Sequence, residues 1–259
     1  MRQAPSLPEQ FGLVAWYFSP IWITGLVRFF RDPGFRWCRA IGVAYPVLAV
    51  AFMLTGGKPY YLAGYFPALL AAGAQPAVDW AGRAHRRRRA GLITAGLVLA
   101  VLQLPITLPV LPISAVHDTP IVALNYDTGE TIGWPAFVPE IAKAYRTLPP
   151  AQRSATTVLT SNYGEAGAVD HFGPADGLPV AYSGHMSFWY WGPPSAGATT
   201  AIVVGYQRSQ LGFCGSLRLA AHLDNHADVN DDEQGAPVWI CQQLTSTWQA
   251  IWSAQKHFN

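Results

Sequence analysis

Lys58 stands in the segment Gly56-Gly57-Lys58-Pro59-Tyr60-Tyr61-Leu62-Ala63-Gly64-Tyr65-Phe66-Pro67, between two long uncharged runs. A lysine ammonium beside phenolic hydroxyls is suitable chemistry for holding a phosphate. At the edge of an apolar run, that phosphate would be a lipid's. Lys58, Tyr60 and Tyr61 are therefore the candidate donor-phosphate residues. The same three also suit an interfacial aromatic belt with a snorkelling lysine, and both readings stand.

A second group lies far along the chain. Asn162-Tyr163-Gly164-Glu165 comes after a β-prone run and opens a helical one. Asn at the N-cap with Glu three residues on is the pattern of a capping box, in which each side chain serves an otherwise unpaired backbone N–H. The functional reading is a ligand site at the C-terminal edge of a strand, where open α/β sheets bind ligands. Glu165 opposes a phosphate there, so a sugar hydroxyl is the easier ligand. Ser183 to Gly192 adds His185, Trp189 and Trp191 in a glycine-bounded loop. Adjacent large aromatics point in different directions and cannot all be buried. Some should be exposed for sugar stacking or for contact with a membrane face, against the reading of a mixed core-and-interface loop. Asn162, Tyr163, Glu165, His185, Trp189 and Trp191 are thus candidate acceptor- or sugar-facing residues.

Other patterns are weak. Ala181 and His185 flank Ser183 where a nucleophile elbow needs glycines. His222 and His226 have ligand spacing but no third ligand. Asp228, Asn230 and Asp232 alternate as in a calcium loop, but Glu233 replaces the required glycine and Trp239 the final glutamate, so an acidic surface turn is expected. No metal site and no cofactor motif is evident, although the sequence leaves a divalent cation open. No nucleotide-binding glycine pattern occurs, and no catalytic residue can be assigned.

The elements that would position these residues differ sharply between the two halves. Of 259 residues 51% are hydrophobic and 12% charged, against about 25% charged in an average soluble domain. Residues 1–114 hold 11 Lys/Arg and 3 Asp/Glu, net +8; residues 115–259 hold 6 and 12, net −6. Uncharged runs predict about four membrane spans, near 10–29, 39–56, 61–79 and 90–111. Arginine-rich loops at 28–39 and 83–89 are expected on the cytoplasmic side, which puts the 56–61 loop, the N-terminus and residues after Pro112 outside. The five basic residues of His85–Arg89 read as a topology signal, with no nucleic-acid partner. Met1–Gln10 has no signal-peptide core, so an outward start predicts further spans upstream in a longer parent protein.

Residues 115–259 read as a small extracytoplasmic α/β domain with a mostly parallel sheet. Strands are expected at Pro120–Leu124, Thr156–Thr160, Pro179–Ser183, Thr199–Gly205 and Pro237–Cys241. Helices are expected at Pro135–Leu148, Tyr163–Phe172, Ser216–Asp224 and Ser246–His257. Cys214 and Cys241 could be a disulfide or two free buried thiols.

The stretch GGKPYYLAGYFPALLAAGA (56–74) resembles the Lys-x-Tyr-Tyr stretch of the polytopic glycosyltransferases that use lipid-phosphate sugars, such as the protein mannosyltransferases of family 39 and the aminoarabinose transferases. NYDTGETIGW (125–134), TSNYGEAGAVDHFGP (160–174) and SGHMSFWYWGPP (183–194) resemble the outer domain of bacterial members. The resemblance implies a multi-pass plasma-membrane protein transferring a sugar from a polyprenyl-phosphate donor to an extracytoplasmic acceptor. Membrane lipids and the upstream spans of the parent would be partners, and Lys58 and its tyrosines would contact the donor phosphate. The family's catalytic acid lies in an upstream outward loop, so this chain is expected to be the C-terminal portion of such an enzyme. The alternative is a non-catalytic, membrane-anchored α/β binding or accessory module.

Overall fold

The computed structural model describes residues 15–55, 57 and 59–258. The chain forms two compact units, 1–104 and 105–259.

The first unit is helical. Helix α1 (Ser19–Arg31) carries Pro20 in its first turn, where a missing N–H is harmless. It is followed by α2 (Arg39–Thr55), α3 (Phe66–Gly82) and α4 (Arg86–Thr107). Gly25 of α1 and Gly73 of α3 lie so close to the opposite backbone that an added Cβ at either would strike a carbonyl, of Leu69 and Ile21 respectively. Trp22, Phe29, Tyr45, Phe66 and Leu69 fill the space around this contact. Arg28, one of the loop arginines, is tied down: it pairs with Asp32 at 2.7 Å and donates to the Ala72 carbonyl at 2.7 Å.

The expectation of about four membrane spans is overturned. Among the described residues two helical stretches are long and apolar enough to cross a bilayer, Pro33–Thr55 and Arg86–Thr107. The start of the first expected span, up to residue 14, lies outside the described residues. Helix α1 has 13 residues, about 20 Å at 1.5 Å per residue, against a hydrocarbon core of about 30 Å. The third expected span is a 3₁₀ segment, Pro59–Tyr65, followed by the 17-residue α3, and its tyrosines, glycines, prolines and Gln75 leave it less apolar than Pro33–Thr55. Freedom from charge was a poor guide because an uncharged run can be too short as a helix, as in α1, or rich in glycine, proline, tyrosine and glutamine, as in 59–82.

The second unit is a three-layer α/β structure. Its strands are β1 (Thr156–Thr160), β2 (Ala181–Ser183), β3 (Thr200–Val204), β4 (Cys214–His222) and β5 (Pro237–Leu244). They lie in the order β2-β1-β3-β5-β4. Pairs β1–β2 and β1–β3 are parallel, while β3–β5 and β4–β5 are antiparallel, so the sheet is mixed rather than mostly parallel. Helices α5 (Trp134–Arg146) and α6 (Tyr163–Phe172) pack with Val158, Ile202, Val204 and Ile240 on one face. Helix α7 (Trp248–Gln255) packs with Leu159, Val203, Trp239 and Cys241 on the other. Burial on both faces explains why β1 and β3 read as continuous β-prone runs without polar alternation.

Two expected elements change type. Pro120–Leu124, read as a strand, contains a short helical turn at Ile121–Leu124. Ser216–Asp224, read as a helix, lies largely in edge strand β4. Its Leu, Arg and Ala residues favour helix locally, but pairing with β5 along the whole strand overrides that preference. Cys214 and Cys241 are joined by a disulfide across these two strands. Cys38 is free and buried.

Candidate functional site

The chain leaves β1 for β2 on one side and reaches β3 on the other, so the C-terminal ends of β1 and β3 form a topological switch point. Such a crevice is where open α/β sheets bind ligands. Ser161 continues β1 by donating its N–H to the Val204 carbonyl at 3.0 Å. Asn162 then caps α6.

The capping box is present in full. The Asn162 side-chain oxygen accepts from the Glu165 N–H at 2.8 Å, and Glu165 Oε2 accepts from the Asn162 N–H at 3.1 Å. The same Oε2 accepts from the N–H of Ser161 at 2.8 Å and from its hydroxyl at 2.9 Å. Glu165 is buried. Across from it Gly205 adopts φ +78°, and a Cβ there would strike Ser161 Oγ and Glu165 Oε1. A glycine is what allows the β3 end to close over the carboxyl.

Asn162 also reaches outward: its Nδ2 donates to Glu233 Oε1 at 2.9 Å. Glu233 is only 3% exposed, and its Oε2 has no hydrogen-bond partner among the described residues. Asp231, also buried, accepts from the N–H groups of Glu233 and Gln234 at 3.0 and 2.6 Å. The acidic turn expected at the surface is therefore partly internal. Burial pushes the Glu165 carboxyl up to about 7, against the lowering effect of its loop hydrogen bonds. Burial likewise pushes Glu233 up to about 8, and the neighbouring Glu165 charge adds to that rise. Burial and the Glu165 charge also push the Tyr206 phenol upward.

Around this polar interior lies a stack of rings. His185 lies face to face with Tyr163 at 4.9 Å, and with His257 at 4.9 Å and an interplanar angle of 1°. His257 Nε2 is 2.9 Å from the Ser161 carbonyl oxygen, and its Nδ1 is 2.7 Å from that of Gln255. The 257 position runs as a parallel bridge beside 185, with the Met186 N–H donating to the His257 carbonyl. Tyr163 is 53% exposed, which leaves one ring face open.

The structure thus gathers Asn162, Tyr163, Glu165 and His185 at one edge. Asn162 and Glu165 set the loop, while Tyr163 and His185 present rings. Trp189 has a different place: its indole donates to the Trp252 carbonyl at 2.9 Å, and the Trp252 indole donates back at 3.1 Å. That reciprocal pair ties the loop to α7. Trp191 is 74% exposed, with Phe188 packed at 4.2 Å. Ser161, Gly205, Glu233 and His257 escaped sequence reasoning. Only Gly205, the last residue of the expected strand Thr199–Gly205, carried a local signal for a close backbone approach.

In the first unit Tyr60 and Tyr61 lie on the 3₁₀ segment, both about half exposed. Tyr61 meets Phe52 edge-on at 5.4 Å. Lys58 lies outside the described residues. Among the described residues, no three His, Cys, Asp or Glu side chains converge in a way that would hold a metal ion. No protein-family model, curated protein or solved structure matches the chain.

Proposed function

We propose that the chain serves a plasma-membrane glycosyltransferase that draws on a polyprenyl-phosphate sugar, with its α/β unit outside the membrane presenting a sugar-facing surface. The observation that carries this reading is the ring stack of Tyr163, His185 and His257 at the sheet edge, held by the Asn162–Glu165 cap. An open aromatic face beside hydrogen-bonding groups suits the mixed apolar and polar surface of a pyranose. The likeness of residues 56–74 to the Lys-x-Tyr-Tyr stretch supports the donor side, where Lys58, Tyr60 and Tyr61 would hold phosphate.

Membrane placement draws on α4. No residue of this helix is buried, and Leu97, Val101 and Leu102 are each more than 60% exposed. Its first turn is a run of four arginines, which favours the cytoplasmic side for that end and the outer side for Thr107. The Cys214–Cys241 disulfide fits an oxidising compartment for the α/β unit.

One observation favours the non-catalytic binding module as the second reading. Glu165 and Glu233 are both buried, so neither carboxyl can reach an acceptor hydroxyl to take its proton.

The test is binding of undecaprenyl phosphate to the full chain in nanodiscs. Lys58→Ala should weaken binding about ten-fold or more, the loss of one charge-assisted contact. Tyr60→Phe and Tyr61→Phe should weaken it less. Unchanged affinity in all three variants would remove the donor-site reading and return these residues to an aromatic belt.

A further inference from the structure

The loop Met186–Trp191 and the segment after α7 meet in a patch outside the Tyr163–His185–His257 stack. Tyr190 is 66% exposed, Trp191 74% and Phe258 59%. Lys256 is set among them: its ammonium lies 4.3 Å from the Trp189 ring centroid, 4.5 Å from that of Tyr190 and 5.6 Å from that of Phe258. It also donates to the Tyr190 hydroxyl at 3.0 Å. The loop's shape is fixed from behind by the reciprocal Trp189–Trp252 hydrogen bonds. The Met186 N–H to His257 carbonyl bond fixes it beside residue 257. The cation therefore lies against the rings of Trp189, Tyr190 and Phe258, with the exposed Trp191 beside them in the chain.

We propose that Tyr190, Trp191, Phe258 and Lys256 form an interfacial anchor that seats the α/β unit on an anionic phospholipid surface. Tryptophan and tyrosine with a flanking lysine is the composition found at the headgroup layer, because a ring with a polar tip has one apolar part and one wet part. Lys256 supplies the charge complementary to a lipid phosphate, and the Trp189, Tyr190 and Phe258 rings with the Tyr190 hydroxyl hold it in the patch. The occupant is a bilayer rather than a protein because the unit comes directly after α4 in the chain. A span-length helix at that point keeps a lipid surface at high effective concentration. The inference rests on the membrane placement proposed above. It goes beyond it in making this patch a second, peripheral contact.

The test uses the full chain in nanodiscs of phosphatidylcholine with phosphatidylglycerol, with a bimane label at Trp191→Cys. The native thiols do not interfere, since Cys38 is buried and Cys214 and Cys241 are bonded. Lipids carrying a nitroxide near the headgroup should quench the label at 191 and leave the same label at Leu219→Cys, on edge strand β4, bright. Lys256→Glu should reduce quenching at 191 in the anionic discs. Phe258→Cys provides a second labelling position should Trp191→Cys fail to fold. If neither label is quenched more than the one at 219 although the chain floats with liposomes, the anchor is overturned and the membrane reading stands. If the chain does not float at all, the membrane reading fails and takes the anchor with it.

Discussion

Asn162 and Glu233 are 71 positions apart in the chain and are joined by a 2.9 Å hydrogen bond from amide to carboxyl. One asparagine thereby has two duties. Its oxygen caps α6, and its nitrogen satisfies half of a buried carboxyl whose other oxygen has no partner among the described residues. The helix start, the β1 end and the 224–235 turn are consequently one polar unit, on which the Tyr163 and His185 rings are mounted.

Substitution can separate the two duties. Asn162→Ser keeps a cap oxygen but loses the donor to Glu233, whereas Asn162→Ala loses both. Loss of a cap costs about 0.5–2 kcal/mol, and orphaning a buried acceptor costs about 1–3 kcal/mol. Urea denaturation should therefore rank wild type above Ser and Ser above Ala, with Ala lower than wild type by about 2–4 kcal/mol. Equal stability of the Ser and Ala variants would mean that the cap contributes nothing.

The carboxyl pair makes a pH prediction. Glu165 and Glu233 are raised from 4.5 to about 7 and about 8, chiefly by burial. A raised carboxyl means that the folded state binds more protons than the unfolded state, so stability falls as pH rises through the interval between the two values. The loss should run from about pH 4.5 to pH 8 and then level off. Glu233→Gln keeps an acceptor for Asn162 while removing one titrating group and its repulsion of Glu165. Its stability should match wild type near pH 4.5 and exceed it at pH 8. Parallel stability–pH curves for the two proteins would contradict the shared burial of the pair.

How much of this arrangement could be read from residues alone depended on range. The β-prone Thr156–Thr160 followed by Asn-x-x-Glu gave β1, the start of α6 and its capping box, because all the interactions are local. Glu233 had no such signal: its neighbours spell an acidic surface turn, and its burial comes from an asparagine in another part of the chain. Strand β4 was hidden because its leucines and alanines prefer helix, while its pairing and its disulfide lie with β5. Trp189 and Trp191, two residues apart, could not be told apart by type, yet one is pinned to α7 and the other faces outward. Uncharged runs located apolar segments in the first unit but overstated how many of them are single long helices.

Gly205 closes the site by conformation and by lack of volume together. At φ +78° an L side chain costs about 1–2 kcal/mol, and an added Cβ would also collide with Ser161 Oγ and Glu165 Oε1. Gly177 is a natural control, since its φ is +76° but nothing lies within 4 Å of an added Cβ. Gly177→Ala should lose only the conformational part, about 1–2 kcal/mol. Gly205→Ala should lose clearly more and should disturb the Tyr163 side-chain NMR signals. Similar losses in the two variants would show that Glu165 moves aside easily, and the switch-point loop would then be less rigid than its hydrogen bonds imply.

The disulfide provides the last check, on the edge of the sheet rather than on its site. Cys214 and Cys241 are 27 residues apart, and closing a loop of that size restricts the unfolded chain by about 3–4 kcal/mol in the loop-entropy account. Edge strand β4 is only partly buried and draws its place from β5, so it has little apolar packing of its own to offset the loss. Cys214→Ser, at the less buried end, should therefore lower the urea midpoint to that of the wild type under dithiothreitol. It should also raise amide exchange in 214–222 well before exchange rises in β1 and β3, whose residues are buried on both faces. Uniform loss of protection across all five strands would instead mean that the bond supports the whole sheet, and that β4 cannot open by itself.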